Sequence, residues 1–281
     1  MTTVFVEGAA IRAPGLNGWA ASRSVLAGID AYAAAPPDLP AIPLPPAERR
    51  RTVQTVKLAL ALGIEVFAAT GRALADTATV FSSSGGDGET IHQILAALAS
   101  DARDVSPTRF HNSVHNAPAG YWSIATRSHA PSTSIGCYDA SFAAGLLEAA
   151  VQAAVEDSAV ALIAYDVSYP EPLHSVRPLA SLFGAALVLV PRQTPQAMAR
   201  LDIALRPRAG ELSSMALLAL ESLRRTAPSA RALPLLAALA RGAAETVTLE
   251  YISDLMLEVA VAPVAMTSPR LPRRQDVAAD A

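Results

Sequence analysis

Residues 116–141, Asn116 to Ser141, read NAPAGYWSIATRSHAPSTSIGCYDAS, and their order decides how the chain is read. Pro107 precedes this stretch and Pro118 lies within it, so residues 110–120 read as a loop, with a helix beginning at 121–126. Residues 132–136 read as a short strand. Residues 140–154 follow as an Ala/Leu-rich helix whose one charged residue is Glu148, as expected of a buried helix. Asp139 falls at the start of that helix, where a carboxylate suits the positive end of the dipole and can cap free N–H groups. The motif is therefore strand, tight turn, buried helix.

The same alternation continues on both sides. Residues 3–7 read as a β-branched strand entering a Gly/Pro turn, and 19–32 have helical spacing. Residues 34–46 carry six prolines and read as an extended connection. A long helix is expected over 49–74, broken near Gly63. Residues 77–84 read as a buried strand ending in Gly85, Gly86 and Gly88, with a helix from Glu89. Residues 158–165, 183–190 and 200–205 read as further strands. After Pro207 come two amphipathic helices, 211–225 and 234–244, and strands at 246–251 and 257–261. Repeated strand, turn and helix signals predict a layered α/β fold. Residues 267–281, with two prolines and few apolar groups, read as a disordered tail.

With 281 residues, 52% apolar and 17% charged, the chain can bury a large core of small and aliphatic side chains. The net charge of −3 and the lack of a basic, aromatic-rich patch argue against nucleic acid as a partner. One cysteine, Cys137, rules out an internal disulfide and a multi-cysteine zinc site. No run of apolar residues is long enough for a membrane span, and the first residues lack a secretory pattern. A cytoplasmic protein without cofactor or metal is expected. His111 and His115 have i, i+4 spacing, but a loop setting without a third ligand does not favour a metal. His129 and Ser134 share only their residue types with a hydrolase pair, and His174 sits in a Pro-rich loop. The SSSGGDGE turn (82–89) lacks the Gly-Lys-Ser/Thr ending of a phosphate loop, so close backbone packing explains its glycines.

The stretch 116–141 resembles the nucleophile region of β-ketoacyl synthases of the thiolase superfamily. That region contains an Asn, an Ala-Gly pair, a Gly-Pro-Ser turn, a strand and then Thr-Ala-Cys leading into a buried helix. Asn116, Ala119, Gly120, Ile124, Pro131, Ser132, Ser134 and Ile135 fall into the pattern without a gap. Continued, Cys137 takes the Thr place, Tyr138 the Ala place and Asp139 that of the acyl-accepting cysteine, with Ser141 matching a following serine. The opening strand, SSSGGDGE, and the segment with Arg177, Pro178 and FGAALVLVP are similar too. The resemblance implies a thiolase-like layered fold, N-terminal half only, over residues 1–207. Residues 208–266 would form a short non-thiolase α/β extension packed on it.

The departures carry the functional expectation. Such enzymes take two catalytic histidines, and usually a lysine, from a C-terminal half. Beyond Pro207 this chain has neither residue type. It resembles the short chain-length-factor-like homologues of aryl-polyene-type clusters. The resemblance implies a non-catalytic subunit that pairs with a full β-ketoacyl synthase, shapes its acyl tunnel and works with an acyl carrier protein in fatty-acid or polyketide synthesis. Interface and tunnel candidates are Phe110, His111, His115, Asn116, Tyr121, Trp122, Ser134 and Tyr138, with the strand at 132–136 facing the partner. Arg49–Arg51 is a small basic run that either docks an acidic carrier or is simply solvated. The rival reading is a self-sufficient acyltransferase or thioesterase acting through Cys137 or Ser134; a homodimeric relic is a third.

Overall fold

The computed structural model describes residues 1–179 and 181–264, so the expected tail at 267–281 lies outside the described residues. Strand β1 (Thr2–Ala13), the short β2 (Leu16–Asn17) and helix α1 (Trp19–Leu26) open the chain. After the Pro-rich connection come α2 (Pro46–Arg51), α3 (Gln54–Thr70), β3 (Ala78–Ser82) and α4 (Gly88–Ala99). Then follow α5 (Pro107–Asn112), α6 (Ala117–Thr126), β4 (Ser132–Ile135), a 3-10 turn (Tyr138–Ala140) and α7 (Ser141–Val155). Next are β5 (Val160–Asp166), the single turn α8 (Leu173–Val176), β6 (Phe183–Val190) and β7 (Ala199–Pro207). The chain closes with α9 (Leu218–Thr226), a 3-10 turn (Pro228–Ala232), α10 (Leu233–Arg241), β8 (Glu245–Glu250) and β9 (Leu255–Pro263).

Among the described residues, nine strands join one sheet in the order β4-β3-β5-β6-β1-β7-β9-β8, with β2 paired to β1. The pairs β3–β4 and β3–β5 are parallel, and each other pair is antiparallel. Period-two alternation sends side chains of the central strands to opposite faces. Val160, Leu162 and Ala164 of β5 join one apolar cluster, while Ala161, Ile163 and Tyr165 join the other. Burial on both faces explains why β5 and β6 read as unbroken apolar runs. Helices α3 and α6 cover one face; α7, α9 and α10 cover the other. Every residue of α10 from Leu233 to Ala240 is buried, so this helix is enclosed on all sides. Strands β7, β9 and β8 add Leu201, Leu257 and Val247 to the same cluster, so the sheet continues without a break past Pro207.

The observed elements correct four expectations. The loop over 110–120 is mostly helical, because Pro107 and Pro118 occupy first-turn positions where a missing N–H costs nothing. The helix over 49–74 breaks at Thr52–Val53, not at Gly63. The expected helix 211–225 begins only at Leu218, since the segment before it bonds to β8 through Ser213 N and Thr248 O at 3.0 Å. The final helix stops at Arg241, where Gly242 adopts a left-handed φ of 64°.

Gly63 has a packing role. A Cβ there would lie 2.5 Å from Cζ3 of Trp122, whose ring stacks on Phe67 at 5.6 Å. Trp122 of α6 can therefore reach α3 only over a residue without a side chain. A Gly63→Ala variant is expected to lose about 1–3 kcal/mol of stability through overpacking, despite the better helix propensity of alanine. Equilibrium urea unfolding checks this; a midpoint at or above wild type contradicts it.

Candidate functional site at the strand-to-helix turn

Parallel pairing with β3 delivers β4 to the turn at residues 136–140, and α7 begins directly after it. Tyr138 has φ of 50°, a left-handed conformation uncommon for a bulky residue and sustained only by its surroundings. Ser141 fixes the turn: its Oγ accepts from Cys137 N at 2.9 Å and donates to Tyr138 O at 2.7 Å. Ser82 Oγ donates to Ser141 O at 2.6 Å, tying the helix start to β3. Gly145 lets α7 lie on that strand, since a Cβ there would meet Ser82 Cβ at 2.8 Å.

Asp139 does not cap α7, contrary to expectation; the helix shows no side-chain cap. Its carboxylate instead bridges two arginines. Oδ1 accepts from Arg177 Nη2 at 2.8 Å, and Oδ2 lies 3.1 Å from Arg231 Nη2. Arg231 is also paired with Glu250 of β8. Burial lowers the Arg231 pKa, the nearby Asp139 opposes that, and Arg224 and Arg177 reinforce it. The Arg177 guanidinium lies over the Tyr138 ring, 3.5 Å from its centroid. An aspartate so engaged has both carboxylate oxygens occupied by guanidinium groups, which favours neither nucleophilic attack nor proton abstraction.

A second carboxylate, Asp166 at the end of β5, is buried. It accepts from Ser84 N at 2.9 Å, Ser84 Oγ at 2.7 Å and Ser229 N at 2.8 Å. Burial raises its pKa, and the bonds from Ser84 and Ser229 pull against that rise. The Gly-rich turn after β3 serves these contacts: Gly85 and Gly88 admit Tyr169, whose ring would clash with a Cβ at either position. Asp87 caps α4, accepting from Thr90 N at 2.8 Å.

The named candidates divide into separate groups. His115 Nε2 lies 3.1 Å from Ser83 O, beside Gly136. His111 meets the Tyr121 ring edge-on at 6.0 Å. Tyr121 is buried, donating to Asn112 Oδ1 at 3.1 Å, and Trp122 is 1% exposed between α3 and α6. Both aromatic residues are buried within the chain, and Tyr121 borders a cavity with His111 and Ile124. Phe110 and Tyr138 are exposed, at 66% and 64%. Asn116 and Ser134 share a shallow cleft of about 440 Å³ with Ala119, Gly120, Ser123 and Ser132. Cys137 and Ser134 are half-buried, and His129 is exposed. Among the described residues, the one histidine-ring hydrogen bond is that of His115, so neither Cys137 nor Ser134 has an imidazole base. Among them too, no cluster of acids, histidines or cysteines is set to hold a metal, and no helix is long and apolar enough to cross a membrane.

Asp166 yields a test of the site's electrostatics. A carboxyl whose folded pKa lies above its unfolded value, about 3.9, binds its proton more tightly when folded. Its contribution is full below the unfolded value and is lost as pH rises through the folded one. Asp166→Asn presents an NH2 to backbone and hydroxyl donors, so it is expected to cost about 1–3 kcal/mol. The stability of wild type relative to the variant should shrink as pH rises from about 4. Urea unfolding across pH reads both effects; a constant difference contradicts the second.

A family profile described as "Beta-ketoacyl synthase, N-terminal domain" matches residues 19–249. Among solved structures, the fold matches a chain of the ketosynthase ApeO in complex with its chain length factor ApeC from Xenorhabdus doucetiae. That match has a TM-score of 0.71 and 20% identity, over 92% of this chain and 100% of that one. A chain of the ishigamide ketosynthase/chain length factor matches with a TM-score of 0.68 and 16% identity, over 94% and 100%. A β-ketoacyl synthase from Burkholderia phymatum gives a TM-score of 0.66 and 13% identity, over 94% and 100%. A search of curated proteins finds no match. The expected thiolase-like layered fold is thus the observed one, and the chain belongs to the β-ketoacyl synthase N-terminal domain family.

Proposed function

We propose that this chain is a non-catalytic, chain-length-factor-like subunit that pairs with a full β-ketoacyl synthase. It shapes the acyl tunnel of that partner, which elongates chains carried by an acyl carrier protein in fatty-acid or aryl-polyene-type polyketide synthesis. One observation carries the reading: the nucleophile position holds Asp139, locked between Arg177 and Arg231. The chain retains the strand, turn and buried helix of a ketosynthase while filling the reactive position with an ion pair.

The surface supports a partner on the β4 side. Strand β4 ends the sheet, and its outer edge is unpaired among the described residues. A free edge is a template for another strand. Helix α4, packed on α5, presents Ile91, Leu95 and Leu98 at i, i+4, i+7 spacing, exposed among the described residues, Leu95 at 59%. Phe110 and Val114 continue the exposed apolar surface. Patches of this kind mark protein interfaces rather than free monomer surface. The chain-length-factor complexes of similar fold are in keeping with a ketosynthase as the occupant.

Co-expression with a full-length ketosynthase of the same organism is expected to yield a one-to-one complex on affinity capture and gel filtration. The double variant Leu95→Glu, Leu98→Glu should abolish co-purification while keeping a wild-type circular dichroism melt, because both side chains are exposed. A wild-type chain that elutes alone contradicts the proposal, as does a double variant that still pairs.

A further inference from the structure

Beside the locked turn lies a small cleft of about 210 Å³, bordered by Tyr138, Asp139, Arg177, Arg225 and Thr226. Arg177 spends Nη2 on Asp139 and rests on the Tyr138 ring. The other N–H groups of its fork have no acceptor among the described residues. Arg225, in the last turn of α9, is exposed, and its guanidinium has neither hydrogen bond nor ion pair among those residues. The neighbouring acid, Glu221, is taken by Arg224 through two bonds of 2.7 and 2.6 Å.

The charge balance leaves room for an anion. Two carboxylates, Asp139 and Glu250, meet three guanidinium groups, those of Arg177, Arg225 and Arg231. Tyr138, held at positive φ, keeps its ring under Arg177 and so fixes the plane of that fork at the cleft wall. Guanidinium forks match phosphate and carboxylate oxygens. The planar Asp139 carboxylate already spans Arg177 and Arg231, whereas a tetrahedral phosphate group carries its acceptor oxygens out of one plane, toward forks on two walls of the cleft.

We propose that the cleft formed by Tyr138, Arg177 and Arg225 binds a phosphate group. The shared chemistry admits two sources, a free phosphate or a phosphodiester attached to a larger molecule. This assignment does not depend on the partner chain proposed above.

Isothermal titration of the full chain in chloride buffer tests it with two probes, inorganic phosphate and dimethyl phosphate. Saturable binding of at least one probe is expected. Binding of phosphate alone assigns the free anion, and binding of dimethyl phosphate assigns a diester-linked group. Arg225→Gln should weaken the bound probe roughly tenfold or more, the loss of a charged hydrogen-bond donor. Arg225→Lys should recover part of it, and Arg241→Gln, an arginine paired with Glu245 elsewhere, should bind as wild type. Failure of both probes to saturate overturns the proposal. So does wild-type affinity in Arg225→Gln, or an equal loss in Arg241→Gln.

Discussion

The Asp139 carboxylate lies between the guanidinium groups of Arg177 and Arg231, and Arg231 reaches on to Glu250. Four distant parts of the chain meet there: the turn before α7, the loop between β5 and β6, the turn before α10, and β8. Removing one partner of such a network leaves the others with uncompensated charge, which is why networks of this kind fix geometry more than they add net stability. Asp166 performs a parallel task with neutral donors, joining β5 to the Gly-rich turn after β3 and to Ser229. Both carboxylates connect residues before Pro207 to residues after it. The closing segment, α9 to β9, is therefore held by polar ties as well as by the sheet.

A nucleophile at the start of a buried helix gains from the positive end of the dipole. Here the turn is kept in place by Ser141 and Ser82, while the position itself is filled by a paired anion. The turn organises arginines around that carboxylate, an arrangement in keeping with the proposed subunit, in which chemistry is left to another chain.

Much of this was legible in the sequence because the strongest signals were local. The apolar strands at 158–165 and 183–190, and the helix 140–154, announced β5, β6 and α7 because burial of both strands and of most of the helix leaves few polar residues to blur them. The loop expected over 110–120 is mostly helix because proline marks a helix start as readily as a loop, while the helix expected at 121–126 is present. The burial of Trp122 and Tyr121 was not legible either: size does not tell which way an aromatic points, and Gly63, which admits Trp122, is far off in sequence. At the site, the sequence placed Asp139 but not its partners. Arg177 and Arg231 lie far away along the chain, and no local pattern distinguishes a bridging arginine from a solvated one. The capping expectation failed for the same reason: a local rule gave way to a tertiary ion pair.

On the proposed reading this chain carries no acyl-accepting nucleophile. Intact-mass spectrometry of the purified chain after incubation with an acyl-thioester substrate, alone and beside an active ketosynthase, tests this most directly. No acyl adduct is expected on this chain while the partner gains one. A stoichiometric adduct on Cys137, abolished by Cys137→Ser, would contradict it.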